Sequence, residues 1–541
     1  MKQVAAFQIA RVIGWVAIAT SAGVVLTATF IESIPGPLPD QSIWPTPRLW
    51  SYFRTTLWMA ALATIIAFAI ATPLMIVLAN LRPGLKRRIL LILIILPLVT
   101  MPSIHAYAWL LLATRKDGFA AAFLNAIGWN TPGAQPFQSA VVLAAWLWPI
   151  PALVLSVAFR QMGRQGYLLA RLDAGGLTAF LRDAHPLMRA SLIAAASATF
   201  ILACTDATIP PLMGVTEVWS VEMLAAAAVA SSRVRPIGYL FWQSWPMLLL
   251  IAALALAAIP GIRRMTRWGE ELESPDIGLS IGGGGGSWLL ACVLAVVIAL
   301  YPLMVFATEF TGARVDAATA MQTALKTFGK HGAATFIVAI ITGLCAMAGG
   351  LSVIDDHDNH LVVRALSKIA FVTVLITAIL PPEIIGTALA STFARISDPA
   401  HWNIYDSTPW AWIAAMLSRF AVVTVVVTVL ANRRVPDSLL AQAQLEGARG
   451  TARSALVRLP FIWRSIAVAA ILTACIATSE IGASVLTQPV RFFGGSLAVQ
   501  VDMQMHYGRQ DETTFLAAIM LVPALLAALS APALARRRTP A

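Results

Sequence analysis

Long apolar runs, each bounded by charged residues, recur from one end of the chain to the other. The segments 12–31, 55–81, 89–114, 236–262, 276–308 and 513–535 carry no Asp, Glu, Lys or Arg, apart from Asp276 at the first position of one of them. Four more runs hold one charge each: 190–216 (Asp206), 369–394 (Glu383), 407–432 (Arg419) and 465–490 (Glu480). The stretch 118–159 is also uncharged. Its Asn125–Gln138 portion, rich in Gly and Pro, reads as a loop before a helix near 139–159. With 331–354 this makes twelve candidate spans, since a hydrocarbon layer of about 30 Å needs roughly 20 apolar residues in a helix. The first run is longer than the apolar core of a cleaved leader, and more spans follow it, so it is expected to remain as the first helix. The pattern predicts an all-α integral membrane protein.

Composition supports this. Of the 541 residues 59% are hydrophobic and 12% charged, where a soluble domain carries about 25% charge. A mean hydropathy of +0.78 excludes a water-soluble enzyme. The formal charge of +12 reports topology rather than nucleic-acid binding. With the N terminus inside, Lys and Arg favour the inner segments over the outer ones by about two to one. The densest inner loops are 82–88, 160–189 and 433–464. Both termini are therefore expected in the cytoplasm of a bacterial inner-membrane protein. Cys204, Cys292, Cys345 and Cys475 all lie in apolar stretches and form no metal or disulfide pattern.

The residues 263–287 read as a flexible cytoplasmic linker with five consecutive glycines, Gly282 to Gly286. It separates two six-span halves, 1–262 and 288–541. The halves echo each other: His185-Pro186 and Leu459-Pro460 each close a basic loop and open a span, 274 positions apart, as are Asp206 and Glu480. Ala170-Arg171-Leu172-Asp173 parallels Ala443-Gln444-Leu445-Glu446, and Met101-Pro102 parallels Pro381-Pro382. Shared order and spacing predict a two-fold repeat, an arrangement in which transporters place their pathway between the repeats.

The basic loop before the fifth span of the second half reads VPDSLLAQAQLEGARGTARSALVRLPFIWRSI. It resembles the EAA loop of bacterial ABC-importer permeases: Gly447 takes the glycine position, Val457 the isoleucine position, and Leu459 and Pro460 match. Ala441, Gln442 and Ala443 fill the EAA triplet, so its glutamate is absent. In the first half the likeness rests on Ala170, Arg171, Leu172, Asp173 and Pro186, with the glycine displaced to Gly175 or Gly176. The segments 186–214, 460–511, HYGRQDE at 506–512, Leu96-Pro97 through Trp109 and Arg419-Phe420 extend the resemblance to the fused permeases of the ferric-iron and thiamine import group.

That resemblance implies a type I ABC-importer permease fold with both halves in one chain. It implies docking loops, with Glu446 and Arg449 beside the residues above, that sit in an ATP-binding subunit, itself a homodimer. A periplasmic or lipid-anchored binding protein would deliver a small solute, iron(III) or thiamine-like. The residues alone fit a helix that ends at glycine, turns and re-enters a helix at proline. They fit equally an amphipathic interfacial helix whose arginines meet headgroups.

The chain holds no GxxxxGK[ST]; Gly329-Lys330 is followed by His331. No cofactor, catalytic residue or metal is expected in this chain, and ATP belongs to the partner. The cluster Asp355-Asp356-His357-Asp358-Asn359-His360 reads as a solvated turn, because nothing at helical spacing completes a ligand set. Asp206, Glu480, Arg419 and Glu383 are costly at membrane depth and should face protein or a watery cavity. Asp206 and Glu480, with Arg419 as a partner of one of them, are candidates for the pathway or its gate; Glu383, after two prolines, reads rather as structural. An ion-coupled secondary transporter and a non-transporting scaffold subunit remain the competing readings.

Overall fold

The computed structural model describes residues 2–38, 42, 44–81, 84–114, 124, 126, 128–129, 131–161, 185–267, 285–300, 317–354, 361–397, 404–433, 435–489, 494–507 and 510–534. Among these residues the ordered elements are all helices. In the first part of the chain they are α1 (Lys2–Ser33), α2 (Pro47–Asn80), α3 (Leu85–Val99), α4 (Pro102–Thr114), α5 (Gln135–Leu147), α6 (Pro149–Gln161), α7 (His185–Thr205), α8 (Ile209–Leu212), α9 (Trp219–Ala230) and α10 (Pro236–Arg267). The second part holds α11 (Gly285–Ala295), α12 (Ala317–Ser352), α13 (Leu361–Ala378), α14 (Pro382–Ile396), α15 (Ile404–Ser407), α16 (Trp410–Asn432), α17 (Asp437–Leu445), α18 (Gly450–Thr478), α19 (Gly482–Thr487), α20 (Leu497–His506) and α21 (Gln510–Leu534).

Nine of the described helices are long and apolar enough to cross a bilayer, and eleven spans result if each of two bent pairs counts as one. The expected twelve are not reached among the described residues. The span at 276–308 is represented only by 285–300. The bends follow from proline chemistry. α3 and α4 meet at 96°, where Pro102 opens the second helix without an N–H to donate. α5 and α6 meet at 46°, where Pro149 opens the second helix in the same way; apart from these pairs, Pro381 between α13 and α14 is held extended (φ −56°, ψ 142°), as a residue before proline must be.

The chain divides into two compact units. One comprises Met1–Trp50, Ser220–Leu248 and Ala313–Ala541; the other comprises Ser51–Trp219 and Leu249–Gly312. In the first unit α1 packs among helices from the second part of the chain, so the compact units and the sequence halves are different divisions. α1 lies close on α12 because Gly14 has no side chain: a Cβ there would sit 2.1 Å from the Ala348 carbonyl oxygen. Trp15 Nε1 donates to the Ser352 carbonyl (3.2 Å). Buried Arg11 donates to the Ile354 carbonyl (3.0 Å) and Ser367 Oγ (3.1 Å), with the Phe7 and Trp15 rings beside its guanidinium. In the second unit Gly261 of α10 makes the same kind of approach to the Ala190 carbonyl of α7. Small side chains permit such contacts where solvent gives helices no hydrophobic reason to associate.

The outward faces are apolar as well. Val12, Ile13 and Val16 on α1, and Val362, Ile369 and Val372 on α13, are each about half exposed or more. In water such contiguous surface would aggregate; against lipid tails it costs nothing.

Gly14→Ala is expected to lower the unfolding midpoint of the detergent-solubilised protein by several degrees, since overpacking against backbone costs about 1–3 kcal/mol. Gly329→Ala, in the same bundle but with open space around it, should leave the midpoint unchanged or raise it slightly.

Candidate functional site

Two of the long helices stop just short of a buried carboxylate. α7 ends at Thr205 and α18 at Thr478, so Asp206 and Glu480 lie in non-helical breaks rather than within a helix. Each carboxylate then caps the short helix that follows. Asp206 accepts from Thr208 Oγ1 (2.8 Å), from the Thr208 N–H (3.3 Å) and from the Ile209 N–H that begins α8 (2.8 Å). Glu480 accepts from the Ala483 N–H in the first turn of α19 (3.1 Å). Ile209 and Ala483 stand in the same three-residue relation to their carboxylates. An acidic oxygen on a helix's opening N–H groups gains both the hydrogen bond and the favourable end of the helix dipole.

A second hydrogen bond also recurs. Thr56 Oγ1 of α2 accepts from the Trp219 N–H at the start of α9 (2.8 Å), and Thr335 Oγ1 of α12 accepts from the Leu497 N–H at the start of α20 (2.9 Å). Each pair lies within one compact unit.

Around Glu480 the other charged residues converge. Arg419 Nη1 of α16 lies 2.7 Å from Glu480 Oε1, with both side chains largely buried. The Arg419 guanidinium also lies 5.4 Å from the Phe420 ring. Glu383, fully buried in the first turn of α14, faces the same break from the other side: a Cβ on Gly482 would stand 3.4 Å from its Oε1 and 2.9 Å from Pro382. Trp412 Nε1 holds Ser484 Oγ (2.9 Å), and Tyr405 OH donates to the Leu486 carbonyl (2.6 Å). Burial, helped by neighbouring Asp406, pushes the Tyr405 phenol above its usual range, so it keeps the proton it donates. Protein groups thus hold this non-helical backbone in place. The arrangement is a helix break holding the Arg419–Glu480 ion pair with Glu383 beside it, gripped together by α14, α16 and α19.

The second candidate region is the basic elbow. α17 ends in a Schellman turn: Gly447 has φ +88°, its N–H donates to the Gln444 carbonyl (3.0 Å), and the Ala448 N–H donates to the Ala443 carbonyl (2.9 Å). Arg449 is extended (φ −121°, ψ 154°) and leads into α18, in which Leu459 and Pro460 continue the helix through one turn of wider, π-type winding at Ser454–Arg458. Buried Arg453 ties the elbow together by donating to Gln444 Oε1 (3.3 Å), and Arg458 donates to Asn432 Oδ1 (3.1 Å). Leu445 at the tip is 90% exposed, and the space beside Gly447 is open. Ala443 is buried beneath the turn, while Glu446 is exposed. Of the corresponding first-half residues, Ala170, Arg171, Leu172, Asp173, Gly175 and Gly176 lie outside the described residues; Pro186 is in the first turn of α7.

One residue that the sequence pattern passed over is Glu32. It is buried at the end of α1, where its Oε2 accepts from the Ile237 and Gly238 N–H groups opening α10 (2.8 and 3.3 Å) and its Oε1 from Arg395 Nη2 (2.9 Å). Its signal was that a lone acid closes an otherwise uncharged first span. Among the described residues no group of three or more His, Cys, Asp or Glu is arranged to hold a metal. The Asp355–His360 cluster lies outside the described residues.

Fold and site together define a multi-pass, all-helical membrane protein whose buried charges cap helix breaks. Comparison with protein-family models, curated proteins and solved structures gives no match.

Breaking one side of a buried ion pair costs about 3–5 kcal/mol because it strands the other charge. Arg419→Met and Glu480→Gln should therefore each lower the unfolding midpoint strongly, whereas the double variant recovers part of the loss. A double-mutant cycle on detergent-solubilised protein reads this directly; additive losses would mean the pair is not coupled.

Proposed function

We propose that this chain is the permease subunit of a binding-protein-dependent ABC importer of type I architecture. In this reading twelve spans form two homologous halves in one polypeptide, and both termini face the cytoplasm of a bacterial inner membrane. A small solute moves inward by alternating access, with iron(III) or a thiamine-like compound as the class favoured by resemblance. ATP is bound by a separate subunit, a homodimer, and a periplasmic or lipid-anchored binding protein presents the solute.

The observation that carries the proposal is the elbow at 437–460. A rigid turn closed by a left-handed glycine presents an almost bare leucine at its tip, and α18 runs on from it, through its π turn, toward the Glu480 break. A partner that grips Leu445 would move α18 as a lever, and the far end of that lever is the Arg419–Glu480 pair. The recurring caps on Asp206 and Glu480, and the recurring threonine acceptors Thr56 and Thr335, support the duplication. Asp206, Glu480 and Arg419 then serve as hinge or gate groups at the ends of the two fifth spans. Glu383, a fully buried carboxylate, is the feature that favours an ion-coupled transporter instead.

Leu445→Asp should weaken binding of the co-expressed ATPase subunit about 30-fold, the loss typical of an anchor worth roughly 2 kcal/mol. Gly447→Val, which forces a β-branched residue to φ +88°, should uncouple ATP hydrolysis from uptake without preventing membrane insertion. Asp206→Asn with Glu480→Gln should change uptake while the ATPase still co-purifies. Proteoliposome transport with and without nucleotide decides the matter: uptake by the chain alone under an ion gradient, abolished by Glu383→Gln, would replace this reading with the ion-coupled one.

A further inference from the structure

Within the first compact unit, a groove of about 610 Å³ runs between α1 on one side and α13 and α14 on the other. Its α1 wall is recessed. Ala19 and Gly23 bracket a turn of π-helix, and Ala28 continues the small-residue wall one turn further on. The facing wall is Ile369 and Thr373 of α13. At one end stand Glu32 and Arg395, and both helices carry outward-facing apolar side chains alongside the groove, Val16 and Ile31 on α1 and Val372 on α13.

We propose that this groove is a phospholipid site, in which one acyl chain of a membrane glycerophospholipid lies along the recess in α1 and its phosphate rests on Arg395. The surface around the groove is apolar and outward-facing, so the bilayer itself is what borders it, and leaving such a recess unfilled would forfeit dispersion contacts on both walls. The charged end chooses the head. Glu32 is already satisfied: one oxygen takes two N–H groups at the positive end of α10 and the other takes Arg395 Nη2. Arg395, by contrast, has a side chain that is 60% exposed, so part of its planar fork of donors is turned outward, the geometry that suits a phosphate. Arg395 and Glu32 cancel, and the partial positive charge of the α10 terminus tips the rim toward an anionic head. Both groups sit at helix ends, where the headgroup layer is reached. A cation at headgroup depth with an apolar recess leading inward from it has the outline of a lipid.

The test uses the full chain purified in mild detergent, delipidated, and mixed with phosphatidylglycerol, with native mass spectrometry as the readout. One phosphatidylglycerol should be retained per chain after washing, whereas sn-glycerol 3-phosphate, the head without tails, should not bind. Thr27→Phe, at an exposed position lining the groove, should cut retention at least fivefold by filling the recess, and Arg395→Gln should cut it similarly by removing the phosphate partner. Should the Thr27 variant unfold, Ala19→Phe on the same exposed wall takes its place. Equal retention by the wild type and a folded recess-filling variant, no retention by the wild type, or a second copy of the chain occupying the groove would each overturn the proposal. None of these readouts involves transport or ATP.

Discussion

Backbone N–H and C=O groups buried in hydrocarbon have no water to turn to, and every departure from helix in this chain has to meet that demand from within. The protein departs from helix repeatedly, at 100–101, 206–208, 379–381 and 479–481. Proline makes two of these breaks and acidic side chains secure the other two. Three carboxylates at different places in the chain do the same work. Glu32 receives the opening N–H groups of α10, Asp206 that of α8 and Glu480 that of α19. Asp206 and Glu480, which appeared as expensive intrusions in apolar runs, are the groups that cap the short helices there.

This changes how the buried charges are understood. An acid that only had to be tolerated would be best neutralised and left alone. Here Glu480 accepts from both a backbone N–H and Arg419 through the same oxygen, so the ion pair and the start of α19 are mechanically one object. Rotating α16 or withdrawing α18 would disturb both at once. A joint of this kind couples α16, α18 and α19 at one oxygen. The elbow at 437–460 supplies the feature at the start of α18: a glycine-closed turn bearing an apolar tip that water alone does not reward.

The two divisions of the molecule, by sequence and by packing, bear on the same question. Sequence similarity pairs the stretch around Asp206 with the stretch around Glu480, while compactness groups α1 with α12, α13 and α16. A chain whose first helix packs among helices from its second part ties the two kinds of organisation together covalently, and the glycine contact at Gly14 with the Arg11 hydrogen bonds makes that packing specific rather than a loose lipid-side association. The groove that remains between α1 and α13 follows from the same packing, because a helix recessed by a π turn and small residues does not fill the space along its whole length.

Much of the architecture was legible in one dimension because hydrocarbon enforces length and apolarity residue by residue. Uncharged runs marked the helices, and Gly447 marked the end of α17, since only glycine enters that left-handed turn without strain. Asp206 and Glu480 stand 274 positions apart, and each accepts from the backbone N–H three residues further on. What no linear pattern held was partnership across distance. Arg419 was visible as a charge, yet its choice of Glu480 depended on how α16 meets the end of α18, 61 residues later. Glu32 looked like the edge of a span until α10, some 205 residues on, brought its N terminus to it. Hydrophobic burial is local in its demand and was written in the sequence; hydrogen bonds and ion pairs are directional, and only packing in three dimensions decided which groups came within reach.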